Sequence, residues 1–311
     1  MLDDFLNRHG WSDAVREPLA GDASTRRYTR LRKPAARAIL MDSDATPVAP
    51  FLRVQQHLAT IGLTAPRIFA VDEVAGLILL EDLGDDTFAA LIQRGGDERA
   101  LYEAATDLLV SLHRSPAPAW AETYSPAKMA AFLAPAWDHC VAPEDKGGCH
   151  RIETVLRDLL DHTWDDSAVL LHRDYHAENL IWLPGRGGDQ RVGLLDFQDA
   201  LAGHPAYDLA SLLQDARRDV DPALEDAMIV RFCAATGRDP ARFRAAYTLQ
   251  ALQRHTRILG IFAKLAVTRG KPGYLAMMPR VRAHMKRCLS HPIAEPLRAP
   301  IEDILLKPAY A

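Results

Sequence analysis

No apolar run in this chain approaches the length of a membrane-spanning helix, so no such helix is expected. Cysteine is scarce. The four present, at 140, 149, 233 and 288, lack the spacing of a zinc site or a redox pair, and reduced thiols are expected. The first residues, Met1 to Leu6, are acidic and lack the basic and apolar regions of a signal peptide, which points to the cytoplasm. There is no excess of positive charge: the net value is −4, which argues against nucleic acid as the main partner. Internal repeats and low-complexity segments are also missing. What remains is an ordinary globular composition, 48% hydrophobic and 25% charged, in 311 residues, long enough for two lobes.

Against that background two polar blocks stand out. His172-Arg173-Asp174-Tyr175-His176-Ala177-Glu178-Asn179 follows the apolar run 168–171, and Asp196-Phe197-Gln198-Asp199 follows the apolar run 192–195. A third apolar run, 180–183, lies between them. Taken singly, Asp174 and Asn179 would read as turn caps and Asp196 as a strand end. Jointly, an Asp five residues ahead of an Asn, then a strand-terminal Asp-Phe, has the spacing of phosphotransfer machinery. Such chemistry needs an aimed nucleophile and neutralised phosphate charge rather than covalent help. Asp174 is the candidate catalytic residue, accepting the proton of the attacking hydroxyl. Asn179 and Asp196 are candidate ligands for Mg²⁺, which takes hard oxygen donors and few protein groups.

The rest of the chain is consistent with a small β-rich lobe over 1–84 and a larger, mostly helical lobe over 85–311. Residues 26–32 and 37–42 read as a hairpin, 47–61 as a helix, and 68–74 with 76–80 as two further strands. Beyond Gly84 the pattern turns helical, with one face marked by Leu101, Ala105, Leu108, Leu109 and Leu112. Another face is marked by Phe243, Ala246, Tyr247, Leu249 and Leu252. The segment ending the small lobe, with Glu81 and Leu83, offers a backbone edge for an adenine ring. Ser24, Thr25 and Arg26 are candidates for phosphate oxygens, although their loop has one glycine rather than a series.

A strand lysine is missing. Met41 stands where the kinase pattern holds the α- and β-phosphates, and the following helix has no glutamate. Phosphate charge then falls to Arg26, Arg27, Arg30 or Arg32, or to the metal; the alternative is a nucleotide-binding module without turnover. Only twelve positions lead from Asp196 to Asp208, too few for a peptide-docking activation loop, so the acceptor is expected to be a small molecule. Asp208, near a helix start, reads as a structural tie to the catalytic loop or as a cap.

These motifs, with the Gly203-His-Pro turn into Tyr207-Asp208-Leu, resemble the aminoglycoside-phosphotransferase-like kinases. The resemblance implies an α+β, two-lobed, protein-kinase-like fold and the use of ATP with Mg²⁺. The wording of 172–183, 194–200, 203–208, 212–218 and 257–264 is similar to the bacterial cell-wall-sugar kinases. That branch implies phosphorylation of the anomeric hydroxyl of N-acetylmuramate or N-acetylglucosamine in peptidoglycan recycling; separately, a monomer is expected. Aminoglycoside or choline remains the alternative acceptor. His176, Gln198, Asp199 and Arg217 are the candidate acceptor-binding residues, Arg217 for a carboxylate. Charge bears on the choice independently: between Asp239 and Glu295 there are eleven Arg or Lys residues and no acid. Such a tract suits a neutral or anionic acceptor better than a polycation, even if most of these charges only solvate helix faces.

Overall fold

The structure, a computed structural model, describes residues 2–19, 26–43, 47–165 and 168–307. In chain order the elements begin α1 (Leu2–Arg8), β1 (Val15–Pro18), β2 (Arg27–Lys33), β3 (Ala36–Asp42), α2 (Ala49–Thr60), β4 (Ile68–Asp72) and β5 (Leu77–Glu81). Next come α3 (Phe88–Gln93), α4 (Glu98–Leu112), α5 (Pro126–Ala131), α6 (Ala134–Cys140) and α7 (Cys149–Thr163). Four short strands follow: β6 (Val169–Leu171), β7 (Leu180–Trp182), β8 (Val192–Leu194) and β9 (Leu201–Gly203). The chain ends in α8 (Ala206–Leu213), α9 (Pro222–Thr236), α10 (Pro240–Thr268), α11 (Met278–Leu289) and α12 (Glu295–Leu305).

Two compact units form, and their division differs from a single cut at residue 84. The first comprises 1–104 with 177–199, the second 105–176 with 200–311. In the first unit, five antiparallel strands run in the order β1-β2-β3-β5-β4. Alternation along β3 divides its side chains. Ala38 and Leu40 join Phe5, Leu6, Leu31, Leu77 and Leu79 in a core under α1, whereas Ile39 lines a cavity on the other face. The β7–β8 hairpin belongs to this unit because its backbone is bonded there: Leu194 N–H donates to Thr64 O (2.8 Å) and Trp182 N–H to Asp86 O (2.8 Å). A Cβ on Gly193 would come within 2.8 Å of Leu83 Cδ1, so the glycine lets the 81–85 turn pack on the hairpin.

The second unit is built around α10, whose flanks are α6, α8 and α11. Asp239 caps its start, accepting Arg242 N–H at 2.8 Å, with Pro240 at the first helical position. α9 starts in the same way at Asp221-Pro222 and stops at Gly237, whose φ is +68°. Gly260 permits a close approach of α10 to the start of α6. A Cβ there would lie 2.1 Å from Ala136 N and 2.3 Å from Pro135 C, which no residue but glycine tolerates. Among the described residues no helix is long and apolar enough to cross a membrane.

Candidate active site

Each of the two polar blocks holds one strained backbone position. Among the described residues only Arg173 (φ +74°) and Asp196 (φ +58°) are non-glycine residues with positive φ. Such conformations persist where surrounding structure over-determines them, and they cluster at functional sites.

In the second unit, β6 pairs antiparallel with β9 and delivers the chain into residues 172–176. Asp208, fully buried near the start of α8, holds the strained turn. His172 N–H donates to its Oδ2 (2.6 Å) and Arg173 N–H to its Oδ1 (2.8 Å). Burial pushes the Asp208 carboxyl up to about 7, although the two N–H donations and the Arg254 charge favour its ionised form. Tyr175, also fully buried, donates its hydroxyl to Ala105 O at 2.8 Å. Between these anchors Asp174 keeps a half-buried side chain. His176 is buried, and burial lowers its pKa well below the ordinary value, with Arg217, Arg254 and His172 adding to the effect. Arg217 is half-buried, and its N–H donates to Asp215 Oδ1 at 2.9 Å.

In the first unit, a cavity of about 470 Å³ is lined by Arg26, Tyr28, Ile39, Glu81, Leu83, Asn179 and Asp196, among others. The β7–β8 register sets Leu180 opposite Leu194, and Leu195 N–H donates to Asn179 O at 2.9 Å. Asn179 and Asp196 thus sit at the same end of one hairpin. Gln198 Nε2 donates to Asp196 Oδ1 (2.7 Å), so this amide orients the carboxylate. Asp199 is exposed. Phe197 is buried against Phe51 of α2, ring centroids 4.8 Å apart, which anchors the residue after Asp196.

The structure also sorts the arginines named above in place of the absent lysine. Met41 is fully buried. Arg27 pairs with Asp42 (2.8 Å) and Arg32 with Glu17 (2.8 Å), both near solvent. Arg30 is clamped between Asp82 (2.9 Å) and Asp85 (2.8 Å), an arrangement that pins β2 to the 81–85 turn. Arg26 is 7% exposed and lines the cavity beside Tyr28. Burial raises the Tyr28 phenol to about 12; the Arg26 charge opposes the rise and the Asp196 charge adds to it. Arg26, Tyr28 and Asp196 therefore share one electrostatic neighbourhood. Glu81 lines the same cavity, but its carboxylate is held by Arg186 (2.7 Å) and Arg67 (3.2 Å). Ser24 and Thr25 lie outside the described residues.

A family model described as "Phosphotransferase enzyme family" matches residues 15–246, spanning both polar blocks. The chain belongs to this family. A relative from Caulobacter vibrioides named N-acetylmuramate/N-acetylglucosamine kinase is 38% identical over 338 aligned positions, covering 95% of this chain and 93% of the relative. One of the same name from Pseudomonas aeruginosa is 29% identical, covering 93% of this chain and 89% of the relative. Among solved structures, a choline/ethanolamine kinase family protein from Mesorhizobium loti matches with a TM-score of 0.68 at 16% identity. The match covers 97% of this chain and all of that protein, a likeness of fold alone. This phosphotransferase thus has the kinase-like α+β fold expected from its motifs. The expected tie of Asp208 to the catalytic loop is present, as its grip on the His172 and Arg173 N–H groups, whereas the attachment of Gln198 to Asp196 had no signal in the sequence.

Proposed function

We propose that this phosphotransferase moves the γ-phosphate of ATP to the anomeric hydroxyl of N-acetylmuramate or N-acetylglucosamine, giving the sugar 1-phosphate. The acceptor is carried by one observation above all: near-full-length similarity to the Caulobacter vibrioides kinase of that name. In the reaction, Asp174 accepts the hydrogen bond of the anomeric hydroxyl and takes its proton as the new O–P bond forms and ADP departs. Asp208 fixes the turn that presents Asp174. The nucleotide occupies the first-unit cavity, with the adenine at 81–83 and phosphate charge met by Arg26.

The oxygen donors of Asn179 and Asp196, at one hairpin end, fit a hard cation such as Mg²⁺ and would hold it there. When bound, the metal neutralises charge on the phosphates. Gln198 keeps the Asp196 carboxylate oriented for that role. In keeping with this reading, the protein acts in the cytoplasm on a recycled wall sugar.

The direct test is Mg·ATP-dependent ADP release with N-acetylmuramate, N-acetylglucosamine, glucose, choline and kanamycin. Turnover is expected with the two N-acetyl sugars; turnover with only choline or kanamycin would discard the acceptor. Two variants probe the first-unit cavity. Arg26→Met is expected to raise the KM for ATP about tenfold or more, the value of a lost charge-assisted hydrogen bond. An unchanged KM would remove Arg26 from the phosphate site. Gln198→Leu is expected to raise the Mg²⁺ needed for half-maximal rate about 10- to 100-fold, as loss of an orienting partner does. A raised sugar KM with an unchanged Mg²⁺ requirement would instead make Gln198 an acceptor ligand.

A further inference from the structure

The basic tract after Asp239 is not uniform. Arg244 pairs with Asp226 (2.8 Å), Arg280 with Asp219 (2.6 Å) and Arg287 with Glu225 (2.6 Å), so these three stabilise helix surfaces. Arg254 is almost fully buried, and its charge acts on Asp208 and Asp215. Arg257 differs. Its side chain is half-buried on α10, and its guanidinium carbon lies 5.8 Å from the centroid of the Phe132 ring. Arg173, next to Asp174 in the chain, lies over the same ring at 5.9 Å and over Tyr124 at 5.4 Å. Tyr124 packs on Phe132 (5.5 Å) and on Tyr207 (5.4 Å), completing an aromatic bed under the two cations.

The placement of Arg257 follows from the packing of α10. Gln253, four residues earlier, donates to Met129 O (2.7 Å) and to the Tyr124 hydroxyl (3.2 Å). Gly260, three residues later, meets the backbone at Pro135 and Ala136. Residues at these spacings share one helix face, so Arg257 is held between two fixed contacts. Burial disfavours its charge, but Tyr207, Tyr124 and Asp174 outweigh that, so the guanidinium stays charged within electrostatic reach of Asp174.

We infer that Arg257 is a specificity-determining residue that binds the lactyl carboxylate of N-acetylmuramate, with Phe132 as its platform. The inference rests on the acceptor reading given above and adds the group that distinguishes the two sugars. N-acetylmuramate differs from N-acetylglucosamine by a lactyl ether on O3 that ends in a carboxylate. C3 is two ring atoms from C1, so a sugar that offers its C1 hydroxyl to Asp174 carries its carboxylate close by. A planar guanidinium suits that group bidentately. The same pair of cations disfavours polycationic acceptors.

The test compares kcat and KM for both sugars in the wild type, Arg257→Gln and Arg257→Lys, with N-acetylmuramate methyl ester as a third acceptor. Arg257→Gln is expected to raise the KM for N-acetylmuramate about 10- to 100-fold, the range for a charged hydrogen bond, and that for N-acetylglucosamine at least tenfold less. Arg257→Lys is expected to recover part of the loss. Wild-type enzyme is expected to show a KM for the methyl ester about 10- to 100-fold above that for the free acid, a result that needs no folded variant. Equal losses on both sugars, or a wild type indifferent to esterification, would overturn the assignment. Wild-type inactivity toward both sugars would instead overturn the acceptor reading itself.

Discussion

Replacing Asp174 with Asn is expected to lower kcat about 10²- to 10⁴-fold, the usual contribution of a positioned proton acceptor, and to leave nucleotide affinity close to wild type. The two halves of this expectation have separate structural causes. The turn around Asp174 is fixed by backbone donation to Asp208 and by the buried Tyr175, neither of which involves the Asp174 carboxylate. An isosteric amide therefore leaves the loop in place but cannot take a proton. The cavity assigned to the nucleotide is lined by residues of the first unit, whereas Asp174 belongs to the second. Steady-state turnover with titration of ATP binding would check both halves. Near-normal turnover in the variant would remove Asp174 from its role.

Asp208→Ala is expected to be more damaging to the protein as a whole. It leaves the N–H groups of His172 and Arg173 buried without their acceptor, at about 1–3 kcal/mol each. A loss of about 2–5 kcal/mol would lower the thermal midpoint by roughly 5–15 °C for a unit of this size. It also releases the positive φ of Arg173, so turnover should fall even below the melting range. A wild-type-like midpoint and rate would show that the loop is held by other means. Protonation gives a finer test. Burial raises Asp208 from the ordinary 3.8 to about 7. A raised folded-state pKa means tighter proton binding in the folded chain. This group's contribution to stability is then fully present below about pH 3.8 and is lost as pH rises through about 7. Asp208→Asn should remove that part of the stability slope. Because both carboxylate oxygens accept N–H groups, wild-type turnover should rise as pH passes through the same region.

What could be read from the sequence followed local rules. Strands 168–171, 180–183 and 192–195 announced themselves as short apolar runs, and each appears within a residue or so of its expected limits. The 27–33 and 36–42 hairpin and the helix over 49–60 were equally plain. Weaker local patterns went unread. α1 has only Phe5 and Leu6 buried, and the four residues of β1 are mostly exposed, so neither has a strong period. Long-range pairings were out of reach for a different reason. Arg257 meets Phe132 across more than a hundred residues of chain; Asp208 was readable as a tie to the catalytic loop, but not which two N–H groups it holds. Nothing in the residues beside Arg257 encodes its meeting with Phe132; it depends on how α10 packs, with Gly260 against Pro135 and Ala136. Gln198 shows the same limit at short range. Its position beyond Asp196 was evident, but its direction is set by the backbone of a residue at φ +58°.

Phosphorus NMR of the product formed from N-acetylmuramate and N-acetylglucosamine with Mg·ATP reports directly where the phosphate goes. One new phosphate is expected on each sugar, coupled to the proton on C1 and dependent on Asp174. Phosphate on C4 or C6, or none on either sugar while another small hydroxyl acceptor is consumed, would contradict it.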